Sequence, residues 1–448
     1  MTIRLGADIG GTFTDIALDC RGRMFSTKVL TNYTAPEQAI LDGMDMVLDQ
    51  AGIGYGDLEI VIHGTTLATN ALIERRGAKT AFITTEGFRD VIEMRTESRF
   101  DQYDLNLTLP TPLVPREDRF TVAGRIGAQG QELAPLDEAA LHRLADRIAA
   151  GGYGAVAIGF IHSYLNAAHE RRARDIIAAK VDLPISISSE VSPQMREFER
   201  FNTVCANAYV RPQMASYLDR LQVRLKEKGA GCPVFMIHSG GGLVSVDTAA
   251  EFPVRLVESG PAGGAIFAAD VARKFGLDKV VSYDMGGTTA KICLIEDFAP
   301  KTARTFEVAR TTRFAKGSGM PISIPVIEMI EIGAGGGSIA WVDAMGRIQT
   351  GPESAGSEPG PACYQRGGKR PAITDADLVL GKLDPDNFAG GAIKLSLANA
   401  EAAIDRDVGS RLSLNTEAAA FGIGEVVDEN MANAARVHAV ENGKDISD

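Results

Sequence analysis

The sequence predicts a two-lobed α/β protein, and three observations lead to that prediction. Strands and helices alternate along the N-terminal half, a second alternating stretch begins at Pro233, and a short Asp-x-Gly-Gly-Thr motif occurs once in each half. Alternating strands and helices are typical of a sheet that is covered by helices. A chain of 448 residues is also too long for one ordinary core, so more than one domain is expected.

The N-terminal half is predicted to begin with a meander of short strands. Apolar residues fill positions 3–9, and the next strands are expected at 16–18 and 25–30. Residues 36–51 have apolar positions at helical spacing, with Pro36 at the helix start. Later strands are predicted at 59–63, 79–84, 154–161 and after Pro184, and helices at 68–75, 137–150 and 168–180. We assign residues 1–198 to a first lobe, with a polar, Pro-rich surface excursion near 95–130.

The C-terminal half is predicted to open with a long helix over residues 200–228. It continues with strands at 234–237, 279–284, 290–295 and 324–332 and with helices at 260–276 and 423–440. Its copy of the motif also follows an apolar strand and leads into another strand. We therefore assign residues 199–448 to a second, related lobe.

The repeated motif is the main indication of chemistry. It has the sequence DIGGTFTD at residues 8–15 and DMGGTTAK at residues 284–291. Paired glycines let backbone N–H groups approach a ligand, and consecutive N–H groups form an anion-binding nest. Asp8 and Asp284 end their strands, where a carboxylate can hold hydrated Mg²⁺ through water.

Two such turns facing each other would clamp a polyphosphate and stabilise phosphoryl transfer electrostatically. The predicted phosphate-binding residues are Gly10, Gly11, Thr12 and Thr14 in the first turn and Gly286, Gly287, Thr288 and Thr289 in the second.

Composition and absent motifs exclude several classes of function. The formal net charge is -12 without a basic stripe, so no nucleic-acid partner is expected. The sequence GxxxxGK(S/T) is absent, which excludes the P-loop class, and HExxH and GxSxG are absent as well. The glycine-rich segment 333–338 leads into a strand rather than a helix, so it does not fit a dinucleotide-binding loop. No apolar segment has the length of a membrane span and the five cysteines include no CxxC pair, so we expect a cytoplasmic protein with reduced thiols.

Longer segments of the chain resemble one enzyme family. They are DIGGTFTD at residues 8–15, HGTTLATNALIERRGAKTAFITTEGFRDVIEMR at 63–95, ESGPAGG at 258–264, DMGGT at 284–288 and GAGGGSIAWVD at 333–343. This set is similar to the hydantoinase A type of the hydantoinase/oxoprolinase family, which includes N-methylhydantoinases, 5-oxoprolinase, caprolactamase and subunits of acetone and acetophenone carboxylases. The resemblance runs through nearly the whole chain, and the HGTT segment is its most specific part.

The resemblance implies the two-lobed actin-like ATPase fold of the actin, sugar kinase and heat-shock chaperone superfamily. It also implies ATP and Mg²⁺ as cofactors, a heteromeric, oligomeric complex with a hydantoinase B-like subunit, and a hydrolase that acts on a cyclic amide or imide. Phosphorylation of the amide oxygen ends amide resonance and creates a leaving group for ring opening by water. On this basis we expect catalytic roles for Asp8, Asp284 and His63, contacts of Asp8 and Asp284 to Mg²⁺ through water, and substrate contacts from Thr65, Thr66, Asn70 and Arg95.

Two features depart from the family pattern. Many members continue the second motif as DMGGTSTD, whereas this chain has Ala290 and Lys291, so Lys291 either brings a cation near phosphate or faces solvent. Family members of the hydantoinase A type also extend further along the chain. We therefore expect a second lobe that is truncated at its C-terminal end, and activity of this chain alone is not assumed.

Two alternative functions stay open from the sequence. One is the ATP-using subunit of a ketone carboxylase of the acetone or acetophenone type, which the motifs do not separate from an amidohydrolase. The other is a non-enzymatic, actin-like nucleotide switch whose lobes close to move a partner. A plain sugar kinase is disfavoured, because the HGTT segment is foreign to that class.

Overall fold

The computed structural model describes residues 2–11, 13–32, 34–97, 99–310, 317–391 and 393–444. Each half contains a sheet that begins with an antiparallel hairpin, and helices pack on these sheets. The predicted mixed α/β class is confirmed.

The first half follows the predicted order of strands and helices closely. Its elements are β1 (Ile3–Ile9), β2 (Phe13–Cys20), β3 (Arg23–Leu30), α1 (Pro36–Ala51), β4 (Ile60–Thr65), α2 (Leu67–Ile73), β5 (Thr80–Thr85), α3 (Val91–Met94), β6 (Arg119–Val122), β7 (Arg125–Ile126), β8 (Glu132–Ala134), α4 (Glu138–Ala150), β9 (Ala155–Gly159), α5 (Ala168–Ala178), β10 (Ile185–Ile187), α6 (Ser188–Val191) and α7 (Glu197–Glu227).

The second half has more short strands than the sequence pattern indicates. Its elements are β11 (Val234–Ile237), β12 (Leu243–Ser245), α8 (Val246–Glu251), α9 (Ser259–Phe275), β13 (Lys279–Met285), β14 (Ala290–Glu296), β15 (Ala299–Pro300), β16 (Thr302–Ala303), β17 (Phe306–Val308), β18 (Met320–Ile322), β19 (Val326–Ile327), β20 (Ile330–Ile332), β21 (Ser338–Val342), β22 (Ile348–Ser354), α10 (Ile373–Val379), α11 (Leu397–Ile404), α12 (Ser410–Leu412) and α13 (Thr416–Glu441).

The first sheet carries the candidate site. Its six strands lie in the order β12-β11-β4-β1-β2-β3, with β1 antiparallel to β2 and parallel to β4. Side chains of β1 alternate, so that Ile3, Leu5, Ala7 and Ile9 are buried in the core shared with α1. The intervening residues Gly6 and Asp8 therefore lie on the opposite, more open face of the sheet.

A second sheet, in the order β10-β9-β5-β6, is parallel throughout. Helices α4 and α5 supply its own apolar cluster, and α7 packs against β9 and also against α1 and α2. The long helix α7 thus joins the first two sheets through its many buried residues.

The third sheet belongs to the second half. It contains β13, β14 and β15, and β20 pairs with β14. Helix α9 packs on β13 and β14 and also on β4 and β11 of the first sheet. The first turn of α9 is therefore positioned between the two hairpins.

The predicted boundary between residues 198 and 199 does not coincide with the sheets. Strand β11 pairs in parallel with β4, with Val234 beside Val61, and β12 follows β11 in the same sheet. The hydrogen-bonding edge of β4 is satisfied by a strand that comes after α7, so α7, β11 and β12 are built into the first half. Similarly, the excursion near 95–130 contains β6, which pairs with β5.

No helix in the described part of the chain is both long enough and apolar enough to cross a membrane.

Candidate functional site

The two motifs form equivalent tight turns. The backbone N–H of Gly10 donates to the carbonyl oxygen of Phe13 at 2.9 Å. In the second half, the N–H of Gly286 donates to the carbonyl oxygen of Thr289 at the same distance, 2.9 Å. The repeat in the sequence is thus a repeat in backbone structure.

The strand registers on either side of the turns match as well. Asp8 lies opposite Asp15 in the first hairpin, and Asp284 lies opposite Lys291 in the second. Asp8 and Asp284 therefore occupy the same position in two copies of one hairpin.

The carboxylate of Asp8 is enclosed by backbone. A Cβ atom on Gly64 would lie 2.5 Å from its Oδ1 atom, and one on Gly260, in the first turn of α9, would lie 3.1 Å away. Oδ1 is buried and has no hydrogen-bond partner among the described residues. Burial, followed by repulsion from Asp15 and Asp284, raises the pKa of Asp8 to about 6. One oxygen of this half-buried carboxylate thus has no hydrogen-bond donor, and the charge of Lys28 only partly offsets the effect of burial.

Asp284 is near enough to Asp8 for its charge to contribute, after burial and Asp15, to the raised pKa of Asp8. A cavity of about 520 Å³ opens beside Asp8 on the exposed face of the first sheet. This volume is in the range of small-molecule sites. Its rim carries the ion pair between Lys28 and Asp15, at 2.6 Å, and its lining includes Gly6, Asp8, Ala17, Ser26, Thr27 and Ile237.

The glycine-rich segment 333–338 braces the second turn, a role that the sequence did not indicate. The N–H of Gly337 donates to the carbonyl oxygen of Gly287 at 2.7 Å. A Cβ atom on Gly335 would lie 2.6 Å from the backbone nitrogen of Thr288. The segment needs glycine because two stretches of backbone approach each other directly.

Thr14 is a brace for the first turn. Its hydroxyl is fully buried and lies 3.1 Å from the hydroxyl of Thr31, which in turn donates to the carbonyl oxygen of Gly10 at 3.0 Å. Since each hydroxyl has one proton, Thr14 donates to Thr31 and keeps no proton for a ligand. Thr31 was not predicted from the sequence. Thr12 lies outside the described residues.

The predicted substrate residues of the HGTT segment lie next to the first turn. The hydroxyl of Thr66 donates to the carbonyl oxygen of Ile9 at 3.0 Å. Thr65 is buried, and its carbonyl oxygen accepts from the hydroxyl of Ser259 at 3.0 Å, which ties β4 to α9. Asn70 lies one turn further along α2, partly exposed.

His63 is fully buried and both of its ring nitrogens are engaged. Nδ1 lies 3.0 Å from the carbonyl oxygen of Ala7, and Nε2 lies 2.6 Å from the hydroxyl of Tyr217. A carbonyl only accepts, so Nδ1 carries the proton and Nε2 accepts from Tyr217. Burial lowers the pKa of His63 to about 4. The ring is therefore neutral, both nitrogens have partners, and it fixes β4 to β1 and α7.

Arg95 is held by carbonyl groups rather than by the two turns. Its Nη2 donates to Gly317 at 2.7 Å and to Gly319 at 3.1 Å. Desolvation lowers its pKa, and its guanidinium lies 5.4 Å from the centre of the Phe198 ring. These partners do not bring Arg95 to the cleft with the other predicted residues.

Lys291 is largely buried, and its partner is a carboxylate of this chain. It forms an ion pair with Glu258, the residue that precedes α9, and lies 3.9 Å from Glu331. Burial would lower the pKa of Lys291, but the two carboxylates outweigh it and raise the pKa. Glu258 has a left-handed backbone, with φ of 63°. The pair links the second hairpin to the start of α9.

The described ranges contain no cluster of three or more His, Cys, Asp or Glu side chains able to hold a metal ion directly. Any metal at Asp8 and Asp284 would therefore need water or a ligand to complete its coordination.

The fold and the site define a mixed α/β protein with two equivalent glycine turns, each preceded by an aspartate at the end of a strand. Residues 4–181 match the hydantoinase/oxoprolinase N-terminal region, and residues 200–448 match the hydantoinase/oxoprolinase family itself. The chain belongs to the hydantoinase/oxoprolinase family, as its motifs predicted.

Relatives of known activity support this assignment. The chain is 38% identical to the alpha subunit of the caprolactamase of Pseudomonas jessenii, over 99% of this chain and 64% of the relative. The crystal structure of the ATP-dependent caprolactamase from Pseudomonas jessenii is similar, with a TM-score of 0.80, 37% identity, and 97% of this chain and 62% of that one covered. A nucleotide-free acetone carboxylase structure gives a TM-score of 0.81 at 27% identity, covering 99% and 64%. The chain thus spans less than two thirds of the length of these relatives.

Proposed function

We propose that this chain is the ATP-using subunit of an enzyme that phosphorylates the carbonyl oxygen of a cyclic amide or imide. The ring would be of the hydantoin, oxoproline or lactam type, and phosphorylation would prepare it for opening by water. The observation that carries the proposal is the Oδ1 atom of Asp8, which is buried without a hydrogen-bond partner among the described residues, and whose carboxylate lies near enough to Asp284 to be repelled by it.

The residues of the cleft fit a bound magnesium nucleotide. The Oδ1 of Asp8 has no donor among the described residues, and the mutual repulsion of Asp8 and Asp284 would be relieved by a cation. With a pKa of about 6, Asp8 is mainly ionised at neutral pH, as a metal-holding carboxylate must be. Gly287 and Thr288 are exposed in the second turn, where backbone groups can approach phosphate oxygens.

Each part of the cleft would have a separate task in this proposal. When bound, the magnesium nucleotide supplies the phosphoryl group and neutralises its charge. Asp8 and Asp284 would hold the water ligands of the metal, while the turns at Gly10 and Gly286 orient the phosphates from two sides. The start of α9 would add its unsatisfied N–H groups and positive dipole end.

The substrate would lie beside the HGTT segment. Asn70 is partly exposed near the first turn, so its side-chain amide is available to orient a ring carbonyl, whereas the hydroxyl of Thr66 donates its proton to Ile9 and can only accept from a ring N–H. We propose that His63 acts by holding this segment in place, because its ring is neutral and buried. Arg95 is left out of this set, since its guanidinium is held by Gly317 and Gly319.

The proposal includes an actin-like arrangement of two lobes and a partner subunit. The equivalent hairpins in the two halves support the actin-like arrangement. The caprolactamase relative is itself one subunit of its enzyme, which supports a hydantoinase B-like partner. Strand β13 has exposed apolar side chains at Val281, Tyr283 and Met285, so the second half has a surface suited to assembly.

A ketone carboxylase subunit is the second candidate. The similarity to the acetone carboxylase structure supports it, since that TM-score equals the caprolactamase value to within 0.01, at 27% against 37% identity. In that case the phosphoryl acceptor would be an enolate or bicarbonate rather than an amide oxygen. The cleft described above would serve either acceptor.

A substrate panel separates the two candidates. MgATP hydrolysis would be measured with and without a co-expressed B-like subunit, in the presence of hydantoins, lactams, 5-oxoproline, or ketones with bicarbonate. ATP turnover coupled to ring opening, and lost in Asp8→Ala and Asp284→Ala, supports the amidohydrolase. Turnover only with ketone and bicarbonate would move the protein to the carboxylases, and turnover that survives both substitutions would refute the proposed site.

A further inference from the structure

A second cavity lies away from the two turns and is lined by arginine. It has a volume of about 730 Å³ and lies between α4, the edge strand β6 and the segment that follows β5. Its charged lining residues are Arg89, Arg116, Glu117, Arg119, Arg143 and Arg147. Five guanidinium groups around one cavity are unexpected in a chain with a net charge of -12.

Some of these arginines are already neutralised. Arg116 forms a two-pronged pair with Asp90, at 2.9 and 3.0 Å. Arg119 is buried and donates to Glu93 at 2.6 Å and to the carbonyl oxygen of Val114 at 2.9 Å. These pairs hold the cavity wall together and leave Arg116 and Arg119 with little capacity for a ligand.

Two arginines on α4 keep their charge available. Arg143 and Arg147 are four residues apart, so they point to the same side of the helix. Neither has a carboxylate partner within the described part of the chain. Arg147 lies 4.9 Å from the centre of the Phe120 ring, a contact that orients its guanidinium plane without neutralising it.

The remaining lining adds to this surplus of positive charge. Arg89 lies 3.8 Å from Asp90, a carboxylate that already accepts the two bonds from Arg116. Glu117 is the single acidic residue among the lining residues. The cavity therefore has a net positive field, with the two guanidinium groups of α4 on one wall.

We propose that this cavity binds a small polyanion, a molecule that carries two or more phosphate or carboxylate groups. Guanidinium groups match the oxygens of phosphate and carboxylate with paired hydrogen bonds. The volume suits a small molecule rather than a protein segment. The site is distinct from the proposed nucleotide cleft, because none of the residues of the two turns lines it.

The test uses pyrophosphate in the presence of EDTA, so that no metal supports binding at the aspartates. Calorimetric titration of the wild-type chain should give saturable binding to one site, weakened by added salt. Arg143→Gln with Arg147→Gln should weaken it at least about tenfold, since each charge-assisted contact is worth a factor of about ten or more. Citrate, tested in parallel, distinguishes a general polyanion site from one specific for phosphate.

Two controls address charge and location. Arg171→Gln with Arg411→Gln removes the same charge from exposed helical positions outside the cavity, and Asp8→Asn alters the proposed nucleotide cleft; both should bind pyrophosphate like the wild type. Hydrogen exchange should slow on pyrophosphate binding in residues 116–122 and in α4. Thermal unfolding confirms that the double variant folds.

Three results would overturn the inference. The first is equal weakening in the Arg171 and Arg411 control. The second is an affinity that changes in Asp8→Asn while the α4 variant binds like the wild type. The third is the lack of saturable binding by the wild-type chain. The first would indicate non-specific attraction and the second would move the ligand to the aspartate cleft. Because no nucleotide or metal is used, failure of this inference leaves the proposed function unaffected.

Discussion

Replacing Asp8 with asparagine tests the electrostatics of the cleft without any ligand. The substitution removes the charge while changing the shape of the side chain little. Burial and the repulsion from Asp15 and Asp284 raise the pKa of Asp8 from 3.8 to about 6, so the folded protein binds the proton more tightly than the unfolded chain does. Ionised Asp8 therefore destabilises the fold. This destabilisation is complete above the folded pKa and disappears below the unfolded pKa.

The size of the effect follows from the shift. A shift of about 2 units corresponds to about 3 kcal/mol at pH 8, since each unit is worth about 1.4 kcal/mol. The same linkage gives about 1.5 kcal/mol at pH 5 and about 0.5 kcal/mol at pH 4. We expect Asp8→Asn to raise the free energy of unfolding by up to these amounts. They are upper values, because the amide still buries polar atoms.

Urea unfolding at pH 8, 5 and 4 measures the effect through the midpoint and slope of the transition. Asp19→Asn is the matched control on the neighbouring strand β2. The hydrogen bond from Arg4 lowers the pKa of Asp19, so its removal should not stabilise the protein at any of these pH values. The reasoning is refuted if Asp8→Asn is no more stable than the wild type at pH 8, or if its gain is the same at all three pH values.

Three further substitutions test the surroundings of the cleft. Lys291→Met leaves Glu258 without its cation and should lower the free energy of unfolding by about 3 kcal/mol. Adding Glu258→Gln should recover much of that loss, and a single variant as stable as the wild type would contradict the role of the buried ion pair. Gly64→Ala would set a Cβ atom 2.5 Å from the Oδ1 atom of Asp8 and should weaken MgATP binding at least about tenfold. Gly264→Ala, where a Cβ atom would meet open space, should bind MgATP like the wild type, and equal affinities of the two variants in calorimetry would count against the packing described. Gly335→Ala would press on the backbone of the second turn and should lower the free energy of unfolding in denaturant by about 1–3 kcal/mol. Unchanged stability would mean that segment 333–338 does not brace the turn.

The two turns could be predicted from the sequence because their determinants are local. A strand, two glycines and a second strand lie within a few residues of each other, and the hairpin geometry follows from that pattern. The repeat also indicated that Asp8 and Asp284 have the same position. Their approach to each other depends on packing of α9 between the halves, which the sequence pattern does not encode.

Side-chain roles were harder to predict because they depend on distant partners. The ring of His63 is satisfied by Tyr217, 154 residues later, and Arg95 is bound by carbonyls of Gly317 and Gly319, more than 220 residues later. Lys291 was expected near phosphate or solvent, but it forms an ion pair with Glu258, 33 residues earlier in the chain. A short motif identifies the residue type and leaves its partner undetermined.

The sheet that β11 joins was hard to predict for a related reason. Strand β11 looks like the start of a new alternating stretch, yet it pairs with β4 of the first sheet. Apolar content and spacing predict that a strand exists, and the choice of neighbour depends on which sheet edge is open after α7 has packed.

The central claim is that both turns act on one nucleotide. MgATP would be titrated calorimetrically, into the millimolar range, against the wild-type chain, Asp8→Asn, Asp284→Asn and the control Asp19→Asn. The account predicts saturable binding by the wild type and the control, and at least about tenfold weaker binding by each of the other two variants. Binding that is unaffected by Asp284→Asn, or no saturable binding by the wild-type chain, would contradict it.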